Sequence, residues 1–279
     1  MPIASAAPPI AVVLVEPAGP LNVGSVARLC ANFGVAQLRL VAPRCNPLGE
    51  EALRMAVHGR WVLEQARCHG SLAEALADCR RVVATSGRQE EAPLPLQPPR
   101  PALEWLLSPG PEPTGPDQTA DPGSQAPAPG APAPRALVFG REDQGLRNDE
   151  LLQAGRLLRI GTGAAYASLN LSHAVAVVLH ELHALQEPGQ AAAAAPLGGA
   201  TPSGALPPAD PATRGALEAT LADAEELLLE VGFLYPHTAA ARMAKLRTLL
   251  QRAQISDGEV ALLRGMVRQL RWASRRCSP

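Results

Sequence analysis

Proline placement constrains this chain more than any other feature. A proline fixes its own φ and has no amide hydrogen to donate, so neither a helix nor an interior strand runs through a proline cluster. Of the 29 prolines, 14 fall between residues 93 and 134, in text such as Pro127-Ala128-Pro129-Gly130-Ala131-Pro132. Six more fall between Glu187 and Pro211, beside five consecutive alanines. The first segment shows no strand or helix periodicity, and Leu103, Trp105 and Leu106 are its one sizeable apolar cluster. It reads as a loop or disordered insertion. The second reads as a linker. The expected division is a first domain over 1–187 carrying the insertion 93–134, a linker over 188–211, and a C-terminal unit over 212–279.

Composition excludes several classes. No apolar run approaches the ~18–20 residues of a membrane span. Met1–Pro9 has neither the positive charge nor the apolar stretch of a secretory signal, so a cytoplasmic location is expected, with no membrane partner. Cys30, Cys45, Cys68, Cys79 and Cys277 form no CxxC pair and read as reduced thiols. Net charge is −1, but His237–Pro279 holds nine basic residues against two acids, a local +7, which leaves −8 on residues 1–236. A basic end on an acidic chain points to a polyanionic partner.

Before the linker, strand and helix signals alternate. Ile10–Val15, Leu38–Val41, Arg81–Thr85, Ala136–Phe139 and Leu157–Ile160 read as strands. Asn22–Phe33 reads as a helix with Asn22 as a candidate N-cap, Ser71-Leu72-Ala73-Glu74 as a capping box, Asn148 as the cap of a short helix, and about 169–185 as a long helix. This alternation predicts an α/β domain with a mostly parallel sheet. After the linker only helical periodicity remains, over 211–231, 238–252 and 256–274. On the third of these, Arg264, Arg268, Arg271 and Arg275 share a face.

Ligands of open α/β sheets sit beyond the carboxyl ends of strands, so the loops there carry the candidate chemistry. Three stand out: Asn22-Val23-Gly24-Ser25-Val26-Ala27-Arg28; Phe139-Gly140-Arg141-Glu142-Asp143-Gln144-Gly145; and Gly161-Thr162-Gly163 followed by Ser168-Leu169-Asn170-Leu171. Taken singly, each has a plain reading as a helix cap or a glycine turn. Gly161-Thr162-Gly163 lacks the third glycine of a dinucleotide loop, which disfavours a dehydrogenase. His180-Glu181-Leu182-His183 is not HExxH, so no metal site is expected, and neither a GxSxG elbow nor a phosphate-binding GxxxxGK[ST] loop is present.

In this order the three loops resemble the motifs of the TrmH-type SPOUT RNA 2′-O-ribose methyltransferases, over about residues 10–187 without the insertion. Val231-Gly232-Phe233-Leu234, Arg242-Met243-Ala244-Lys245-Leu246-Arg247 and Leu262-Leu263-Arg264-Gly265 resemble the helical extension of the TrmJ branch. The resemblance implies a SPOUT-type sheet closed by a C-terminal trefoil knot, a homodimer, S-adenosyl-L-methionine as cofactor, and tRNA as partner. It further implies 2′-O-methylation at nucleotide 32 of the anticodon loop. Ribosomal RNA methylation and a non-catalytic RNA-binding module are the alternatives.

By the same resemblance Arg28 matches the catalytic arginine, with Asn22, Glu142, Ser168 and Asn170 as the polar residues around it. Thr85, Ser86, Gly87, Gly140, Ile160, Ala167, Ser168 and Leu169 match the cofactor loops. Arg242, Lys245, Arg247, Arg264, Arg268 and Arg271 are the expected phosphate contacts. A guanidinium parts with its proton only at great cost. Arg28 is therefore expected to clamp phosphate and stabilise a 2′-oxyanion, not to act as a base. One departure is Ala56-Val57-His58-Gly59-Arg60, where the family carries a small Ala-Gly-Ala stretch.

Overall fold

The computed structural model describes residues 8–87, 92–108, 133–163, 168–187 and 210–277. In chain order it contains β1 (Ile10–Val15), α1 (Pro20–Asn32), β2 (Gln37–Val41), α2 (Glu50–Ala56), a 3-10 turn (Val57–Gly59), α3 (Arg60–Glu64), β3 (Arg67–His69) and α4 (Leu72–Leu76). Then come β4 (Arg81–Thr85), β5 (Leu96–Gln97), α5 (Pro99–Leu107), β6 (Arg135–Phe139), α6 (Asn148–Leu151), β7 (Arg156–Leu158) and α7 (Leu171–Gln186). Three helices close the chain: α8 (Arg214–Glu230), α9 (Pro236–Ala253) and α10 (Asp257–Cys277).

The strands make one sheet in the order β3-β2-β1-β6-β4-β7-β5. Every pairing is parallel. Helices cover both faces, so the central strands are apolar on both sides instead of alternating. Val12 and Leu14 of β1, Val83 of β4 and Leu137 and Phe139 of β6 pack toward α1, α5 and α7. Val13, Val15, Val82, Ala84, Ala136 and Val138 pack on the opposite face with Leu72, Leu76 and Leu151. Strand β6 lies between β1 and β4 although it follows β5 in the chain, and β7 lies between β4 and β5. That order sets the carboxyl ends of β4, β6 and β7 side by side.

Three local expectations are corrected. Residues 93–134 are not all loop: β5 and α5 lie inside them, and Ala102, Leu103 and Leu106 are fully buried against α7 and β4. Pro99 and Pro101 fall in the first turn of α5, where missing amide hydrogens cost nothing. Residues 109–132 of the insertion and 188–209 of the linker lie outside the described residues. Asn22 is not an N-cap, because α1 starts two residues earlier, at Pro20 after Gly19. Arg147, not Asn148, precedes α6 as its N-cap. The capping boxes fare better: Ser71 Oγ accepts from Glu74 N, and Ser256 and Glu259 cap each other at the start of α10.

The C-terminal helices have their own small core of Leu217, Leu221, Leu234, Ala239 and Met243. They also pack on the first domain at the amino-terminal edge of the sheet. Arg81, at the start of β4, donates from Nε and Nη2 to Asp210 at 3.2 and 3.0 Å. Arg80 pairs with Asp257 at 2.7 Å, and Trp105 Nε1 donates to Gln254 at 3.2 Å. This seam is at the opposite edge from the ends of β4, β6 and β7.

Candidate active site

A cavity of about 460 Å³ opens at those carboxyl ends. Its described lining comes from Thr85, Ser86 and Gly87 after β4, from Phe139, Gly140 and Glu142 to Leu146 around the end of β6, from Leu158, Ile160 and Thr162 after β7, and from Ser168, Leu169, Leu171 and Ala174 at the start of α7. The expected cofactor positions Thr85, Ser86, Gly87, Gly140, Ile160, Ser168 and Leu169 therefore meet in one place. Ala167 lies outside the described residues. Phe139, Asp143, Gln144, Gly145 and Thr162, which fall inside the three loops without an individual role, also line the cavity, as do Leu146, Leu158, Leu171 and Ala174.

The loop after β6 gives the cavity its shape. It is a tight hairpin in which Arg141 and Gly145 exchange backbone hydrogen bonds at 3.3 and 3.0 Å. A Cβ at Gly140 would come within 2.3 Å of the Gly145 carbonyl carbon, so only glycine lets the hairpin close. The Arg141 guanidinium fixes the loop from behind. Nη1 donates to Gly145 O at 3.2 Å and to Glu150 Oε2 at 2.9 Å, and Nη2 donates to Glu150 Oε1 at 2.8 Å and to Glu16. Sequence reading gave Arg141 no role. Its neighbour Glu142 drew attention as a motif residue, whereas the partner Glu150 lies nine residues on and Glu16 lies 125 residues away.

Glu142 ties this loop to the start of α1. It accepts from Ala18 N at 3.1 Å, Gly19 N at 3.0 Å and Asn22 Nδ2 at 3.2 Å. Partial burial opposes ionisation, but these hydrogen bonds outweigh it and hold the Glu142 carboxyl below the usual carboxylate range. A carboxylate so stabilised is a poor base, and its oxygens are already occupied. Glu142 and Asn22 therefore act on the geometry of the rim.

Arg28 lies two turns further along α1, exposed, with no hydrogen bond or ion pair among the described residues and outside the cavity lining. The departing stretch Ala56–Arg60 packs against this part of α1. A Cβ at Gly59 would meet Ala27 O at 2.7 Å and Arg28 Cα at 2.8 Å. Asn170 is the N-cap of α7, its Oδ1 accepting from Ser172 N at 2.9 Å and Ser172 Oγ at 2.7 Å. The ordinary capping role thus holds for Asn170, while Ser168 sits on the cavity wall.

With this geometry the comparisons with known proteins agree. Residues 9–180 match the SpoU rRNA Methylase family, and residues 215–278 match the tRNA methyltransferase TrmJ C-terminal domain. The chain belongs to the SpoU methylase family. Among its relatives are the tRNA (cytidine/uridine/adenosine-2′-O-)-methyltransferase TrmJ of Pseudomonas aeruginosa, 33% identical over 271 residues and 95% of each chain, and the tRNA (cytidine/uridine-2′-O-)-methyltransferase TrmJ of Cronobacter sakazakii. The latter is 35% identical over 259 residues, covering 92% of this chain and 94% of that one. The crystal structure of TrmJ from Z. mobilis ZM4 superposes with a TM-score of 0.71 at 29% identity, over 93% of this chain and 98% of that one.

The TrmJ C-terminal match covers all six basic positions expected from the sequence, and the structure separates them. Arg247 makes a two-pronged pair with Glu218 at 2.8 and 2.9 Å, and Arg271 donates to Asp223 O at 2.8 Å. Both hold the SpoU methylase's extension together. Arg242, Lys245 and Arg268 are exposed, and Arg264 is half-buried. Among the described residues no His, Cys, Asp and Glu group could hold a metal ion, and no helix is long and apolar enough to cross a membrane.

Proposed function

We propose that this chain transfers a methyl group from S-adenosylmethionine to a ribose 2′-hydroxyl of tRNA, at nucleotide 32 of the anticodon loop. The observation that carries this reading is the chemistry of the cavity wall. Its described lining includes Glu142 and Asp143 and no Lys or Arg. That suits a sulfonium nucleoside, which is cationic and carries no phosphate. It does not suit a dinucleotide, whose pyrophosphate calls for a glycine-rich helix start or cations. Phe139, Leu146, Leu158, Ile160 and Leu169 offer apolar walls for a purine ring, and the peptide groups at the strand ends offer hydrogen bonds.

The bound cofactor supplies an electrophilic methyl group. The chain's own residues hold the acceptor in line with it, and positioning of this kind is worth several kcal/mol. Arg28, without a partner among the described residues, clamps the phosphate beside the target ribose and stabilises negative charge on the 2′-oxygen as its proton passes to water. Asn22 and Glu142 fix the start of the helix that carries Arg28. Ser168, and Asn170 through its cap on α7, shape the wall between ribose and cofactor. The exposed cations of the extension hold the tRNA body. The working unit is a cytoplasmic homodimer whose knotted chain crossing follows from family membership.

The test is methyl transfer from labelled S-adenosylmethionine to total tRNA and, separately, to ribosomal RNA, with the modified position mapped. Label on a tRNA ribose at nucleotide 32 is the expected result. Label on ribosomal RNA alone, or none on either with the cofactor bound, overturns the reading.

A further inference from the structure

We propose that the turn between α8 and α9 is a stacking platform for unpaired nucleobases of the RNA. The proposal rests on RNA being the substrate. Aromatic residues are scarce in this chain, with three Phe, two Tyr and three Trp among 279 residues. Two of them nevertheless stand in one short turn and face solvent: Phe233 is 63% exposed and Tyr235 57%. Leu234 between them is buried in the extension's core. The backbone thus sends one side chain inward and both rings outward, and the core is complete without them.

The ring faces are already ordered. His237 stacks on Tyr235, centroids 6.0 Å apart and planes inclined by 22°. The Arg242 guanidinium lies 6.0 Å from the centre of the Phe233 ring while its Nη1 donates to Phe233 O at 3.2 Å. Lys245, exposed, follows one turn along α9. Arg247, Arg271 and Arg275 are taken up by Glu218, Glu226 and Glu230 on α8. Arg242 and Lys245 have no carboxylate partner among the described residues, so their charge remains available beside the rings.

Flat rings next to unpaired cations are the combination that holds single-stranded nucleic acid. Every base has a face to stack, and every phosphate between bases needs a counter-charge. The +7 carried by residues 237–279 favours a polyanion over a protein partner. Helix α8 starts against the first domain and spans about 25 Å over its 17 residues. The turn at its far end contributes nothing to the described cavity lining, so the platform acts on RNA capture, not on the transfer step.

The experiment uses the full chain with Phe233→Leu/Tyr235→Leu, which keeps apolar bulk but removes the flat faces, and with Lys245→Ala. The probes are total tRNA, oligouridine, and a duplex RNA of equal length. The double variant is expected to bind tRNA and oligouridine about tenfold more weakly, ~1.4 kcal/mol. Its KM for tRNA rises, while kcat, cofactor affinity, duplex binding and the salt slope stay put. Lys245→Ala flattens the salt slope instead. Phe233→Tyr/Tyr235→Phe retains wild-type affinity. Unchanged oligouridine binding by the Leu variant overturns the platform even where the wild type methylates tRNA. A shift in sedimentation of the Leu variant relative to wild type also overturns it, because the rings then meet a second copy. Oligouridine binding that depends on the rings, in a wild type that methylates no tRNA, supports the platform while removing the proposed function.

Discussion

Arg141→Met should destabilise the first domain by ~3 kcal/mol at neutral pH, the lower end of what breaking a buried ion pair costs. Arg141 is 7% exposed and Glu150 4%. Methionine replaces the stem but none of the four hydrogen bonds to Gly145, Glu150 and Glu16. Glu150 is not left wholly without partners, because Arg147 still donates to it from its backbone N at 2.7 Å and from Nη2 at 2.9 Å. That remaining pair is why the lower figure is expected. The pH dependence follows from the carboxylates. Burial works against the ionised form of Glu150, and the Arg141 and Arg147 contacts outweigh it; Glu16 is lowered chiefly by its hydrogen bond to Arg141.

Both folded-state values lie below the ordinary 4.5, so this contribution is present above that pH and is lost as pH falls through the folded values. In the variant, the lowering that Arg141 exerts on both carboxylates is gone. The difference between the two proteins should therefore be largest at neutral pH and shrink on acidification. Urea unfolding at neutral and acidic pH measures it. Cofactor affinity should fall in parallel, since the hairpin that lines the cavity loses its support. Arg141→Lys should fall between the two, because an ammonium keeps the charge but not the planar fork. A neutral-pH difference below ~1 kcal/mol, the level of a surface pair, or a difference that grows on acidification, refutes the reasoning.

Arg28→Ala should abolish methyl transfer with cofactor affinity within a few fold by calorimetry, since Arg28 lies outside the cavity lining; equal loss of both would place it on the cofactor. Gly140→Ala puts a methyl 2.3 Å from the Gly145 carbonyl carbon and should open the hairpin, so cofactor binding is lost in a protein that still unfolds cooperatively. Removal of residues 210–279 strips Arg81, 4% exposed, of Asp210, and should lower Tm by several degrees, consistent with a loss of ~1–3 kcal/mol. An unchanged Tm would mean that the seam adds nothing.

Local pattern carried much of the fold. Apolar β-branched runs placed β1, β2, β4 and β6 to within a residue, because strands buried on both faces need such runs wherever they sit. Helix α5 was hidden because its prolines outweighed Ala102, Leu103 and Leu106 in a reading by composition, and first-turn prolines carry no penalty. The linker over 188–211 sets the extension apart in the sequence. Arg81–Asp210, Arg80–Asp257 and Trp105–Gln254 instead join residues more than a hundred positions apart.

The sequence by itself determined which residue types stand at the ends of the strands, and through them the family, since Asn22, Arg28, Gly140, Glu142, Ser168 and Asn170 are readable in order along the chain. Only the tertiary structure decided what each does. Strand β6 inserts between β1 and β4, and that crossing brings Glu142 onto the amides of Ala18 and Gly19, more than a hundred residues away. The same crossing brings Glu16 onto Arg141, while Asn170 turns back onto its own helix and Arg28 has no partner among the described residues. Local propensity extends over a few residues, whereas a hydrogen-bond partner is assigned by the order of strands in the sheet, which no window of sequence contains.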